Sequence, residues 1–211
     1  MNYFGHTVLA VRRGGDRAFV LGAMLPDFAT MIRARSPHTA HADIDSGMQF
    51  HRRTDDVFHR SAVFRQLTQE AVVWLSARGV RSGSALAVAH VGVELLLDAS
   101  LSGDEPAQRA YLAALSGAAH DDLGRHLTWD SDDERVRFDH LRTRLLDRGA
   151  IDGDIAAETV AERLRRALAD RPRLALDDAA VRTARDWALA ARPSVAASAA
   201  PLLADLTTRL R

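Results

Sequence analysis

The sequence predicts an all-α, single-domain helical bundle, and three observations carry that expectation. No segment alternates apolar and polar residues cleanly, and no Asn-Gly or Asp-Gly pair stands between β-branched runs. Apolar residues recur instead at three- and four-residue spacing over most of the chain. The stretches so marked run up to Gly79, Gly149, Pro172 or Pro193, residue types that end helices.

The chain opens with an apolar amphipathic start at residues 3–10 that contains His6. Leu25-Pro26-Asp27-Phe28 reads as a helix end with a chain-reversing proline, and residues 35–45 as the longest irregular piece. The segment from Phe50 to Asp56 reads as helix. Residues 61–77 place Phe64, Leu67, Ala71, Trp74 and Leu75 on one stripe and stop at Gly79. Residues 84–101 are apolar nearly all round apart from His90, Glu94 and Asp98, which predicts a central buried helix. Ser131 and Glu134 form a capping box, and the helix behind it carries Val136, Leu141, Leu145 and Leu146 towards Gly149. Residues 155–169 and 179–191 give two further helices, the second broken before Pro193, after which Ser194 begins a C-terminal helix with Leu202, Leu203, Leu206 and Leu210 on a stripe.

Composition narrows the chemistry. The chain has 211 residues and no Pro/Gly/Ser-rich linker, so one domain is expected over 1–211, with a metal-site core at about 1–105 and C-terminal helices at about 106–211. Cysteine is absent, which removes disulfides, thiolate metal sites and cysteine nucleophiles. All 28 basic residues are arginine, so no lysine can form a Schiff base. Formal net charge is zero, which gives no global signal for a nucleic-acid partner. No basic segment followed by an apolar core opens the chain, and no apolar run reaches the ~18 residues of a membrane span. A cytoplasmic location is the resulting expectation. Locally, residues 1–66 hold nine arginines against six aspartates and no glutamate, a mildly basic stretch suited to an acidic partner.

Two triplets, His51-Asp55-His59 and His90-Glu94-Asp98, space metal-ligand side chains four residues apart in helical segments. Imidazole and carboxylate groups projecting from facing helices build catalytic metal sites in helical cores, so the pattern points to a metal-dependent enzyme. A buried helix does not cheaply carry an imidazole and two carboxylates unless they are paired or metal-bound. Ion pairs with Arg52 and Arg53 are the structural alternative. Within Phe50–Asp56, His51 and Asp55 project together while Arg52 lies about 100° round the helix, so ligands and a phosphate-binding arginine can line one cleft. His38, His41, His120, His126 and His140 have no carboxylate at ligand spacing on an apolar face and read as surface.

Met1-Asn2-Tyr3-Phe4-Gly5-His6, Leu21-Gly22 with Leu25-Pro26-Asp27-Phe28, Gly47 followed by His51-Arg52-Arg53-Thr54-Asp55, and Glu94 with Asp98 resemble, in order and spacing, the bacterial acyl carrier protein phosphodiesterases. Ala169-Asp170-Arg171-Pro172-Arg173-Leu174 extends the similarity, which then covers most of the chain. These are all-helical proteins distantly related to the HD-domain metallophosphohydrolases. The resemblance implies hydrolysis of the phosphodiester joining 4′-phosphopantetheine to a serine of acyl carrier protein, with a divalent metal, manganese first and zinc, iron or magnesium as alternatives. It carries over residue by residue to His6, Asp27, His51, Arg52, Arg53, Asp55 and Asp98. The chain departs from the pattern at Glu94, where the family has aspartate, and at Ala99, where it has histidine.

On this reading His6, Asp27, His51, His90 and Glu94 hold one or two divalent ions, and Asp55 and Asp98 complete the set or orient it. Asp55 would take the proton of an attacking water, and Arg52 and Arg53 would neutralise the phosphoryl oxygens. The carrier protein would dock on Arg12, Arg13, Arg33 and Arg35. Two alternatives stand beside it. One is a phosphohydrolase of another small phosphoester, HD-like or similar to the zinc-dependent phospholipases C; the other is a non-catalytic helical binding protein with a decayed metal site, for which Ala99 speaks.

Overall fold

The computed structural model describes residues 1–119 and 122–210, and these are all-α. In chain order the helices are α1 (Tyr3–Arg12), α2 (Arg17–Met31), α3 (Ala42–His59), α4 (Ala62–Ser76), α5 (Ser82–Ser100), α6 (Glu105–Gly117), α7 (Asp132–Arg148), α8 (Ala157–Leu168) and α9 (Asp178–Arg209), with a 3₁₀ turn at Leu123–His126. Among the described residues there is no strand, only an isolated antiparallel bridge between His38 and Thr128. Two compact units interleave along the chain. One comprises Met1–Val57 and Leu101–Ile151 with the last residues, the other Phe58–Ser100 and Asp152–Thr208.

In the first unit α2 packs on α1, α6 and α7, around a core that includes Phe4, Leu21, Met24, Phe28 and Tyr111. Asp16 caps α2 by accepting from the Phe19 amide (2.8 Å). The helix does not end at Leu25-Pro26 as the sequence suggests but runs through Pro26 to Met31. Proline there deprives only the Gly22 carbonyl of its donor, and the buried Leu21, Met24, Leu25 and Phe28 hold the segment helical. The chain leaves α2 at Ile32 through Arg33, whose φ of 58° is left-handed. Arg33 N–H bonds to Thr30 O (3.1 Å) and Ala34 N–H to Ala29 O (2.9 Å), the double closure normally built around glycine. Irregular backbone ends sooner than expected, because α3 already begins at Ala42 and puts Asp43 and Asp45 in its first turn.

Gly22 of α2 and Gly47 of α3 meet at a crossing where neither helix has room for a side chain. A Cβ on Gly47 would overlap the Phe19 carbonyl and stand 2.8 Å from the Ala23 nitrogen, and one on Gly22 would overlap the Ile44 carbonyl. Both collisions are with backbone, which cannot step aside.

In the second unit α4 and α8 pack on α5. Ser61 caps α4 through the Phe64 amide (3.1 Å), and Phe64, Leu67, Ala71 and Leu75 form its buried stripe as predicted. Trp74 is half-buried instead, with the Arg78 guanidinium over its ring at 3.7 Å. By length and mean hydropathy (19 residues, 1.2) α5 is able to cross a membrane, which the sequence reading did not register. It buries 56% of that window inside the protein and carries Glu94 and Asp98, as a core helix does. Gly92 leaves the space that the Trp187 ring of α9 fills.

Two expectations fail in the last third of the chain. Val136 is 40% exposed, so α7 buries Phe138, Leu141 and Leu145 and leaves Leu146 half-buried. The break at Pro193 does not occur, and α9 is continuous through both Pro193 and Pro201. Eight residues apart, both prolines are exposed, as are Leu189 and Ala197, whose carbonyls lose their donors and are left to water.

Gly47→Ala is expected to destabilise the protein by at least about 1–3 kcal/mol, because the overlap is with backbone. Thermal unfolding followed by circular dichroism should register a fall in Tm of roughly 2–4 °C per kcal/mol.

Candidate metal centre

The expected ligands fall into two groups, one in each unit. In the first, His6 from α1, Asp27 from α2 and His51 from α3 bring one donor atom each within 4.8 Å of the others. His6 and His51 stack with ring centroids 3.8 Å apart. The crossing at Gly22 and Gly47 produces this meeting, since Ala23 and Asp27 follow Gly22 while His51 lies one turn beyond Gly47.

His51 Nδ1–H donates to the Ala23 carbonyl (2.8 Å), which assigns the proton to Nδ1 and leaves the Nε2 lone pair facing Asp55 Oδ2 (3.7 Å) and Asp27 Oδ1 (4.0 Å). Burial, and then the neighbouring His6, push its pKa down to about 3, so the ring is neutral. His6 is fully buried, and burial lowers its pKa as well. His6 Nδ1 faces the Thr54 hydroxyl (3.1 Å), which also lies 2.5 Å from the Phe50 carbonyl. Its Nε2–H donates to the Met1 carbonyl (2.9 Å) and towards Asp55 Oδ1 (3.2 Å), because both oxygens can only accept. Asp55 Oδ1 also accepts from the Met1 α-ammonium (2.9 Å). Burial pushes the Asp55 carboxyl up, but His6 and the Met1 α-ammonium together outweigh it and hold the group well below the ordinary carboxylate range. Two imidazoles and two carboxylates facing one another are a donor set that suits a divalent cation, which would take the place of the His6 Nε2 proton.

The second group is His59 from the end of α3 with His90 and Glu94 from α5. Both imidazoles bring Nε2 to one oxygen, Glu94 Oε1, at 3.3 and 3.2 Å. Burial raises the Glu94 carboxyl, yet its hydrogen bonds with His59 and His90 prevail and hold it below the ordinary range. Asp98, one turn further on, is buried and belongs to neither group of donor atoms among the described residues.

Arg52 and Arg53 are exposed on α3 beside His51. Of the histidines read as surface, His38 and His140 are exposed, while His41 and His126 are half-buried and turn their rings to each other at 5.0 Å. His120 lies outside the described residues. Sequence reasoning missed Thr54 and the Ala23 carbonyl. Thr54 carried a faint signal, three residues after His51; a backbone acceptor carries none.

For the metal-free protein the sign of the pH dependence follows from these shifts. The unfolded chain takes up protons on His51 and His6 below about pH 6.5 whereas the folded one does not, so stability falls as pH drops from about 6.5 towards 3. The Asp55 contribution has the same sign but a lower window, being lost only as pH falls below its ordinary value of 3.8. Thermal melts at about pH 7 and about pH 4.5 in chelator should show the loss, and His51→Asn should flatten it.

No curated protein and no solved structure gives a significant match to the chain. Its first 75 residues, which hold His6, Asp27, His51, Arg52, Arg53 and Asp55, match the model of a family described as acyl carrier protein phosphodiesterase, and this supports the family whose motifs the sequence resembles.

Proposed function

We propose that the protein is a metal-dependent phosphodiesterase acting on a carrier-protein phosphodiester, with its reaction centre at His6, Asp27 and His51. The observation that carries this reading is the convergence of these three side chains from α1, α2 and α3, all within the stretch that matches the family. A divalent metal held by His6, Asp27 and His51 would supply an activated water near neutral pH and Lewis-acid polarisation of a phosphoryl oxygen. The residues do the rest. His51 is kept neutral by burial and oriented by the Ala23 carbonyl, and His6 is backed by Thr54. Asp55 keeps its negative charge between the two imidazoles, so we assign it to orienting them rather than to taking a proton. Arg52 and Arg53 neutralise the equatorial oxygens of the phosphodiester, for which planar guanidinium donors are suited.

A carrier partner is supported by a basic pocket in the same unit. Arg33, Arg137, His140 and Arg144 line a cavity of about 690 Å³ together with Met31, Ile32 and Thr143. Arg137 Nη1 donates to the Ile32 carbonyl (2.7 Å) and so ties α7 to the end of α2. Arg33 holds a left-handed position that glycine would occupy at lower energy, and strain of this kind concentrates at functional positions. Arg12 and Arg13 serve other contacts: Arg12 pairs with Asp104 (3.8 Å), and Arg13 lies over Phe50.

Mn2+-dependent cleavage of bis-p-nitrophenyl phosphate and release of 4′-phosphopantetheine from holo carrier protein test the activity. Arg52→Ala and Arg53→Ala should each lower kcat by about 10²-fold or more with metal content unchanged. No cleavage of either substrate by metal-loaded protein leaves only the non-catalytic binding reading. Arg33→Gly separates docking from folding: relief of about 1–2 kcal/mol of backbone strain should leave Tm equal or higher. The same variant should raise KM for holo carrier protein, most at low salt, and leave cleavage of the small diester unchanged.

A further inference from the structure

The cluster at His59, His90 and Glu94 shares no residue with the group at His6, Asp27 and His51, and two of its members lie beyond the stretch that matches the family. Its distances, those of hydrogen bonds in the metal-free protein, also fit a metal site. With bonds of about 2.0–2.1 Å, neighbouring donors of a tetrahedral zinc site stand about 3.3 Å apart. Both Nε2 atoms stand 3.2–3.3 Å from Glu94 Oε1. The two rings lie within 22° of parallel at 4.9 Å. Phe64 stands edge-on to both at 5.3 Å, and Phe58 packs on His59 at 5.2 Å, so an aromatic collar restricts how far either imidazole can swing. Glu94 is the least exposed of the three side chains at 15%, against 35% for His59 and 44% for His90. Three donors thus converge from a shielded side while the outer side stays open to water.

We propose that His59, His90 and Glu94 form a second, independent site for a zinc-type divalent ion, with a fourth coordination position open to solvent. Two imidazoles and one carboxylate favour Zn2+, Co2+ or Ni2+ over Mg2+ and Mn2+, which prefer oxygen-rich shells. The site takes its metal whether or not the first group is loaded, because the two have no ligand in common.

Metal analysis of the full chain, stripped with chelator and then equilibrated with Zn2+ alone, tests this. The wild type should hold two Zn2+ per chain, His90→Ala and Glu94→Gln one each, His51→Ala one, and the His51→Ala/His90→Ala double variant none; His38→Ala serves as the surface control and should hold two. In Co2+-loaded His51→Ala, whose first group is empty, the visible bands of the four-coordinate ion should be present, and they should vanish in the His51→Ala/His90→Ala double variant, with affinity at the second site down by more than about 100-fold. Helicity by circular dichroism checks that each variant is folded, and the half-exposed His90 is the least disruptive position to change. Two Zn2+ retained in both His90→Ala and Glu94→Gln, or a single Zn2+ in wild type that His51→Ala abolishes, overturns the proposal. Loss of metal in His51→Ala with cleavage retained would instead count against the reaction centre proposed above and leave this site standing.

Discussion

Where α2 crosses α3, Gly22 and Gly47 let two backbones come into contact, and the positions one turn further along each helix inherit that closeness. Ala23 is near enough to accept a hydrogen bond from His51, and Asp27 near enough to face its other nitrogen. Any side chain at either glycine would widen the gap between the helices, and the Ala23–His51 bond would be lost first. Burial of His51, its neutral state and the direction of its Nε2 lone pair all follow from this one approach of main chains. The metal chemistry proposed for the first unit is therefore a consequence of packing as much as of ligand identity.

The second unit arranges similar side chains to different effect. Glu94 draws His59 and His90 to a single oxygen on a partly open face, whereas His6 and His51 are enclosed and have carboxylates on two sides. With two imidazoles each, an enclosed set with two carboxylates and an open set with one suit different metals. One chain without cysteine can discriminate between ions by this means, using only the ratio of imidazole to carboxylate and the degree of enclosure.

Proline shows how tertiary context overrules local preference. Pro26, Pro193 and Pro201 all lie inside helices. Pro26 is held by the buried residues on either side of it, and the two prolines of α9 face solvent, where water serves the carbonyls they deprive. Arg33 makes the same point for left-handed backbone. The closure after α2 is formed by its hydrogen bonds in spite of a residue that disfavours it.

The helical class, the cap at Ser131, the stop at Gly79 and the stripe of α4 were legible because each depends on residues within a few positions of one another. The ligand types were legible for the same reason: a chain with no cysteine or lysine and with histidine four residues from a carboxylate has few other chemistries to offer. The grouping of those ligands was not. At 100° per residue an i+4 partner is about 40° round the helix and an i+8 partner about 80°, so His59 turns away from His51 and Asp98 from His90. Which neighbours the turned residues meet depends on helices distant in sequence, and the sequence alone determined pairs where the tertiary structure decided two groups of ligand-type side chains. The physical reason is that spacing along one helix specifies direction only, while distance between helices is set by packing, here by two glycines and the main-chain atoms they expose.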